Sequence, residues 1–139
     1  MRVVLWLALS LGCRSAPPIE QAPRCPPQSA RERAVALQKS ILRGEIDRCA
    51  VSESAVADVE IRDALVETDE RAKTSYTGHA ALSAGLRRLK TISSDGPLRC
   101  AGDCCDVVRA GMTPGPLYLR RMCFAYGGQV SLITFVEVR

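Results

Sequence analysis

The sequence contains few of the side chains on which catalysis and nucleic-acid binding usually depend. Only 4% of its 139 residues are aromatic, and His79 is the single histidine. No basic stretch is interleaved with aromatic residues, which argues against a nucleic-acid partner. No serine or cysteine has a recognisable base partner, and there is no glycine-rich phosphate loop. The sequence therefore contains no complete catalytic set, and we expect His79 to have a surface or helix-capping role.

Long apolar runs are also missing, with one short exception at the N-terminus. Residues 3–11 form this run after Arg2, and Gly12 and Cys13 follow it. About 20 apolar residues are needed to span a bilayer, so the run is too short for a transmembrane anchor. A basic start, an apolar core and a small residue before a cleavage point are typical of an export signal. The sequence therefore predicts a signal peptide over residues 1–12.

Cys13 follows the predicted cleavage point, and this arrangement resembles a bacterial lipoprotein signal. In such signals the thiol is acylated and becomes the new N-terminus. The resemblance implies a lipid anchor at Cys13 and a location in the bacterial cell envelope, with the membrane as a partner. Arg14, where aspartate can signal inner-membrane retention, favours the outer membrane. The alternatives are an ordinary export signal, which would give a periplasmic or secreted protein, and a misassigned start codon.

Proline is concentrated in the segment that would follow the signal. Residues 13–28 contain five of the eight prolines and almost no large apolar side chain. Such a segment cannot bury a core, so we expect an extended tether. Residues 29–139 are enough for one domain with a modest core. The formal net charge of +4 is mildly basic and indicates no particular partner.

The six cysteines after Cys13 form an even set, which in an exported chain favours disulfides. They are Cys25, Cys49, Cys100, Cys104, Cys105 and Cys123. A metal site is the alternative, but with one histidine we expect no metal and no cofactor. The register derived below favours one cross-strand bridge, Cys104–Cys123. The other four cysteines could tie the first helix and the tether to the sheet.

The spacing of apolar residues predicts two helices, two short strands between them, and then antiparallel strands. The first helix begins at Ser29 and ends at Gly44. The second begins after Gly78, and Gly127-Gly128 is predicted to be a two-residue hairpin turn. The predicted strands are 56–61, 73–76, 98–110 (one strand or two), 117–126 and 129–139.

Four short segments of the sequence occur in a recognisable order. They are LRGEID at 42–47, VEI at 59–61, YTGHAA at 76–81 and CFAYGGQV at 123–130. In order and spacing they resemble the nuclear-transport-factor-2-like superfamily, near its SnoaL-like and ketosteroid-isomerase-like branches. The resemblance covers residues 29–139 and implies a cystatin-like α+β fold. In that fold a curved antiparallel sheet wraps around the N-terminal helices and forms a cone with a pocket. In this chain we expect disulfides to cross-link the cone. Many members dimerise through the sheet.

The hairpin turn sets an expected register for the last strands. The expected pairs are 125–130, 123–132, 121–134, 119–136, 104–123, 106–121 and 108–119. One face, the aliphatic face, then carries Cys104, Asp106, Val108, Leu119, Arg121, Cys123, Leu132, Thr134 and Val136. The other, the aromatic face, carries Tyr118, Arg120, Met122, Phe124, Tyr126, Ile133 and Phe135 among others.

Both faces are too apolar to be left in water. We expect the aliphatic face to pack on the helices and to line the pocket. The aromatic face would then form a homodimer contact through Tyr118, Phe124 and Phe135. A register slip of one residue would exchange the two assignments.

Within the aliphatic face, Asp106 and Arg121 stand directly opposite each other. One interpretation is an ion pair near the rim of the cone. The other is a pocket pair that binds a polar group of a ligand, with Thr134 beside it.

The function predicted from these observations is an exported, lipid-anchored, non-catalytic binding module for a small apolar ligand or a protein partner. The resemblance implies an alternative, an isomerase or cyclase with Asp106 as base and Arg121 as oxyanion or carboxylate partner. A third hypothesis is a structural envelope protein that dimerises through its sheet.

Overall fold

The computed structural model describes residues 25–125 and 127–139. The predicted signal peptide, the acylation site Cys13 and most of the predicted tether lie outside these residues. The elements in chain order are α1 (Ala30–Arg43), β1 (Val56–Asp63), β2 (Glu70–Thr77), α2 (His79–Arg87), β3 (Ile92–Ser93), β4 (Leu98–Ala101), β5 (Cys104–Val107), β6 (Leu117–Phe124) and β7 (Val130–Glu137). The predicted α+β class is confirmed.

The strands form one open, mixed sheet, so the prediction of a purely antiparallel sheet was wrong. The strand order is β2-β1-β7-β6-β5-β4, and β3 pairs with β6 beside this path. β1 runs parallel to β7, and β3 runs parallel to β6. The sequence predicted hairpins between neighbours in the chain. The pairing of β1 with β7 joins distant segments, and it places the β1–β2 hairpin next to the last strand.

Helix α1 begins and ends where the sequence predicted. The Ser29 hydroxyl accepts a hydrogen bond from the Glu32 backbone N–H at 3.2 Å, which satisfies one unpaired donor of the first turn. Gly44 ends the helix in the left-handed conformation, with φ 72°, and donates its N–H to the Ile41 carbonyl. Within the described residues, neither helix has both the length and the hydropathy to cross a membrane.

The two faces of the sheet have the opposite roles to those predicted. The core contains Met122, Ile133 and Phe135, all fully buried, together with apolar side chains of α1 and α2. Tyr118 and Phe124 are also buried within this single chain. The aromatic face is therefore the core face from Met122 onward in β6. Before the register shift between Leu119 and Arg121 the faces exchange, so Leu119 lies in the core beside Phe135. Tyr118 lies on the opposite face beside Val136 and is buried against Thr113 and Arg109. Tyr118, Phe124 and Phe135 are thus not available for the predicted homodimer contact. The physical reason is that burying the largest apolar side chains removes the most apolar surface from water.

The predicted register holds in the middle of the last strands and fails at both ends. Cys123 pairs with Leu132 and Arg121 with Thr134, as predicted. At the tip, Phe124 rather than Ala125 pairs with Val130, because the hairpin loop is longer than two residues. Ala125 donates its N–H to the Gln129 carbonyl. At the other end Leu119 pairs with Phe135 instead of 136, and β5 stops before residue 108.

The six cysteines form three disulfides. The predicted Cys104–Cys123 bridge is confirmed, and it joins β5 to β6. Cys100–Cys105 joins β4 to β5, because the chain turns at residues 102–103 and brings these two residues opposite each other. Cys25–Cys49 joins the end of the predicted tether to the segment after α1. The expectation that the four remaining cysteines tie the helix and the tether to the sheet was therefore wrong. Three disulfides are consistent with an extracellular or periplasmic location.

Candidate functional site

The face of the sheet turned away from the core contains a cavity of about 330 Å³. We call this the outer face; its middle consists of residues 58, 60 and 62 of β1, 132, 134 and 136 of β7, 121 and 123 of β6, and 104 and 106 of β5. The cavity is lined by Glu60 and Arg62 of β1, Glu67 and Thr68 of the β1–β2 loop, Arg120 and Arg121 of β6, and Leu132, Thr134 and Val136 of β7.

The floor of the cavity follows from strand alternation and register. Successive side chains of a strand point to opposite faces, so Leu132, Thr134 and Val136 share the outer face of β7. The parallel pairing with β1 places Glu60 beside Thr134, and the antiparallel pairing with β6 places Arg121 on the other side of Thr134. An aliphatic floor therefore lies between charged side chains from both neighbouring strands.

A β-bulge explains why two consecutive arginines line the same cavity. In a regular strand Arg120 and Arg121 would point to opposite faces, and the sequence pattern placed Arg120 on the aromatic face. The register of β6 against β7 shifts between Leu119 and Arg121, so Arg120 is the additional residue. A bulge redirects a side chain in this way. Arg120 is therefore a site residue that the sequence pattern missed.

Of the predicted ligand-binding residues, the structure places Arg121 and Thr134 in the cavity lining and Asp106 beside it. Arg121 donates from Nε to Asp106 Oδ1 at 2.6 Å and from Nη2 to Oδ2 at 3.1 Å. This bidentate geometry is the strong form of a carboxylate–guanidinium contact. The hydrogen bond from Arg121 lowers the pKa of Asp106, although partial burial opposes the shift. Asp106 is thus a weak base held in an ion pair.

Glu60 provides a buried carboxylate at the edge of the floor, with only 6% of its surface exposed. Its Oε2 accepts from Arg62 Nε at 3.0 Å, and its Oε1 lies 3.6 Å from Lys73 Nζ. A buried charge without such partners would be strongly destabilising. Glu60 therefore fixes the position of Arg62 at the cavity wall.

The β1–β2 loop, residues 64–69, forms the remaining wall. Asp63 Oδ1 accepts from the backbone N–H groups of Leu65 at 2.8 Å and Val66 at 3.1 Å. These two bonds lower the pKa of Asp63. Arg62 Nη1 donates to the Glu67 backbone carbonyl at 2.9 Å. The loop conformation is thus fixed by Asp63 and Arg62, while the Glu67 side chain extends towards β6.

Other features of the described residues are less suited to a site. His79, at the start of α2, contacts the Ile46 carbonyl and does not line the cavity. A second groove, of about 420 Å³, lies along α1. Every residue that lines it except Asp47 belongs to that single helix. It therefore lacks converging walls. Residues 25–125 and 127–139 include no group of His, Cys, Asp and Glu that could hold a metal ion.

Comparison with known proteins adds no relative. No protein-family model matches the chain, no curated protein is significantly similar to it, and no solved structure matches it. The chemistry of the cavity is accordingly derived from its own residues. These supply three guanidinium groups, two carboxylates, two threonine hydroxyls and an aliphatic floor.

The lowered pKa of Asp106 predicts an acid-dependent contribution to stability. A carboxylate with a lowered pKa in the folded state stabilises the fold above its unfolded value, near 3.8, and loses that contribution as pH falls. The variant Asp106→Asn should therefore be less stable than the wild type at pH 7 and closer to it at pH 2.5. We expect less than about 1 kcal/mol, because both side chains are partly exposed.

Urea unfolding at the two pH values measures this difference. Asp103→Asn, in the exposed β4–β5 turn, is the control for the loss of one negative charge. An equal deficit for Asp106→Asn at both pH values would show that its ionisation contributes nothing to stability.

Proposed function

We propose that this chain is an exported, non-catalytic binding module that holds a small ligand with an apolar body in the outer-face cavity. The observation that carries the proposal is the cavity itself, with its volume of about 330 Å³ and its walls from β1, β6 and the β1–β2 loop. Pockets for small molecules have volumes of about 300–1,000 Å³. A site of this size suits a small molecule rather than a protein segment.

The composition of the cavity supports an apolar ligand body with a few polar contacts. Leu132 is partly exposed and provides the aliphatic surface that a ligand would cover, whereas Val136 is already buried, with 1% of its surface exposed. Covering the exposed surface of Leu132 would contribute about 25 cal/mol for each Å² of apolar surface removed from water. Thr134 lies between Leu132 and Val136 with its side chain on the same face. Its hydroxyl is placed to orient a polar group of the ligand.

The arrangement of charges supports binding without catalysis. A general base must be free to take a proton, and its pKa should lie near the working pH. Asp106 is instead held by two hydrogen bonds from Arg121, and the pKa of its carboxyl is lowered. It lies on the outer face and does not line the cavity. Nothing in this geometry favours the isomerase or cyclase alternative.

The lipid anchor, the cone-like family fold and a homodimer belong to the same proposal. The lipid anchor is supported by the sequence around Cys13, and the superfamily resemblance by the order of helices and strands. A homodimer would need a surface other than Tyr118, Phe124 and Phe135, which are buried within one chain. The intact mass of protein purified from the cell envelope tests the anchor. Added acyl mass on a chain that begins at Cys13 supports it, and an unmodified Cys13 contradicts it.

Titration with 1-octanol, followed by amide chemical shifts, tests the binding site. We expect shifts at the amides of Leu132 and Thr134 and their neighbours on β1 and β6. Leu132→Trp should fill the cavity and abolish them. Val35→Trp, which adds the same side chain on the exposed surface of α1, is the matched control and should leave them unchanged. Saturable shifts that survive Leu132→Trp, or no binding at all, would contradict the proposed site.

A further inference from the structure

We propose that the ligand of the outer-face cavity is an amphipathic carboxylate, and that its carboxylate takes the place of Glu67 at Arg120. This inference rests on the function proposed above and adds the chemical class of the ligand. It starts from an ion pair within the cavity, in which the carboxylate of Glu67 occupies the guanidinium of Arg120.

Arg120 is the cationic group in question. Its Nε donates to Glu67 Oε1 at 3.0 Å, and this is the shorter of its two contacts with carboxylates of the described residues. Asp106 lies farther away, with Oδ2 at 3.6 Å from Arg120 Nη1. Because Asp106 is already held in bidentate fashion by Arg121, it does not compete strongly for Arg120. A guanidinium has five N–H donors in a planar fork that matches a carboxylate, so Arg120 retains unused donor capacity.

The Glu67 carboxylate is easy to displace. Its side chain is 53% exposed, and exposed ion pairs are weak because water competes for both partners. The loop that carries Glu67 does not depend on this contact. Arg62 donates to the Glu67 backbone carbonyl, and the Asp63 carboxylate accepts from the backbone N–H groups of Leu65 and Val66. The Glu67 side chain can therefore leave Arg120 while the loop keeps its conformation.

The ion pairs around the cavity leave Arg120 as the guanidinium that a ligand carboxylate can bind. Arg62 is paired with Glu60, Arg121 with Asp106, and Arg120 with the exposed Glu67. Glu60 is buried and bound to Arg62, so it stays in place. When Glu67 moves out, the anion nearest to Arg120 is Asp106, whose Oδ2 lies 3.6 Å from Nη1 and is already held by Arg121. A ligand carboxylate can then take the position of Glu67 at Nε. The apolar body of the same ligand would then lie on Leu132, which is partly exposed.

The test uses octanoate and 1-octanol as probes that share a chain length and differ in charge. Glu67→Gln should tighten octanoate binding about two- to five-fold, the equilibrium equivalent of an exposed ion pair. Arg120→Gln should weaken octanoate binding about ten-fold, the equivalent of one hydrogen bond to a charged group. Neither variant should change the affinity for 1-octanol. Titration calorimetry on the full chain measures all the affinities.

Matched controls separate this effect from general charge. Glu70→Gln removes a negative charge from the same hairpin, and Arg88→Gln removes a positive charge at the end of α2, away from the cavity. Both should leave octanoate binding unchanged. Arg120→Lys keeps the charge but loses the planar fork, so it should lie between wild type and Arg120→Gln. Thermal unfolding of each variant verifies that it is folded.

The outcomes distinguish the two proposals. If 1-octanol binds and Arg120→Gln leaves octanoate affinity unchanged, the carboxylate inference is overturned and the proposed cavity site stands. If Glu67→Gln bound octanoate more weakly than the wild type does, the inference that the ligand displaces Glu67 would be overturned. If neither probe binds the wild-type chain, the proposed function fails together with the inference.

Discussion

Replacing Phe135 with alanine should lower the free energy of unfolding by about 3–5 kcal/mol, the range for a large buried aromatic side chain. Phe135 is fully buried, with 0% of its surface exposed, in the strand between β1 and β6. Its partners are Ile61 on one side and Leu119 on the other. Because backbone hydrogen bonds fix both neighbouring strands, the space left by the ring cannot close. Urea denaturation measures the loss.

Leu132→Ala is the matched control, because Leu132 lies on the outer face of the same strand and is only partly buried. We expect it to cost less than half as much as Phe135→Ala. The comparison also tests which face of the sheet is the core. If Leu132→Ala were the more damaging substitution, the aliphatic face would be the core face, as the sequence pattern had predicted.

Removing the Cys104–Cys123 disulfide with a double alanine substitution should destabilise the fold by about 3 kcal/mol. The bridge joins residues 19 positions apart, so its loss releases a loop of moderate length in the unfolded chain. It also removes a covalent link between β5 and β6, next to the Asp106–Arg121 ion pair. Urea unfolding under non-reducing conditions gives the change.

The Cys100–Cys105 bridge provides the comparison, since it spans only 5 positions. Loop entropy alone predicts a smaller effect for its removal, about 2 kcal/mol. Cys105, however, is fully buried in the core, whereas Cys104 and Cys123 are partly exposed. A larger loss for the short bridge would mean that packing of Cys105, rather than loop closure, dominates the contribution of the disulfides.

The sequence was sufficient for features that depend on neighbouring residues in the chain. A capping serine and a terminal glycine determine α1, and both are visible in the sequence. The register predicted from Gly127-Gly128 is correct at Arg121 and Cys123, where the register shift between Cys123 and Phe124 offsets the longer loop. That register led to the Cys104–Cys123 bridge and to the Asp106–Arg121 pair.

Features that depend on distant contacts could not be predicted in the same way. Alternation along a strand separates two faces but does not say which one the helices cover, so the core face was assigned wrongly. The parallel pairing of β1 with β7 has no local signal, and it brings Glu60, Arg62 and Glu67 to the cavity. The bulge that redirects Arg120 is a one-residue irregularity within an ordinary strand sequence. Half of the candidate site therefore depends on topology.

The two cross-strand disulfides have a consequence for the denatured chain. Cys104 and Cys105 are adjacent, and each is bridged to a different strand, so the rings closed by the two bridges overlap. With its disulfides intact, the unfolded chain keeps a bicyclic segment between residues 100 and 123 and is not a linear polymer there. Asp106 and Arg121 both lie within it, two positions inside the Cys104–Cys123 link. Unfolding therefore cannot carry these two residues far apart, and this wall of the cavity begins refolding already close to its native pairing.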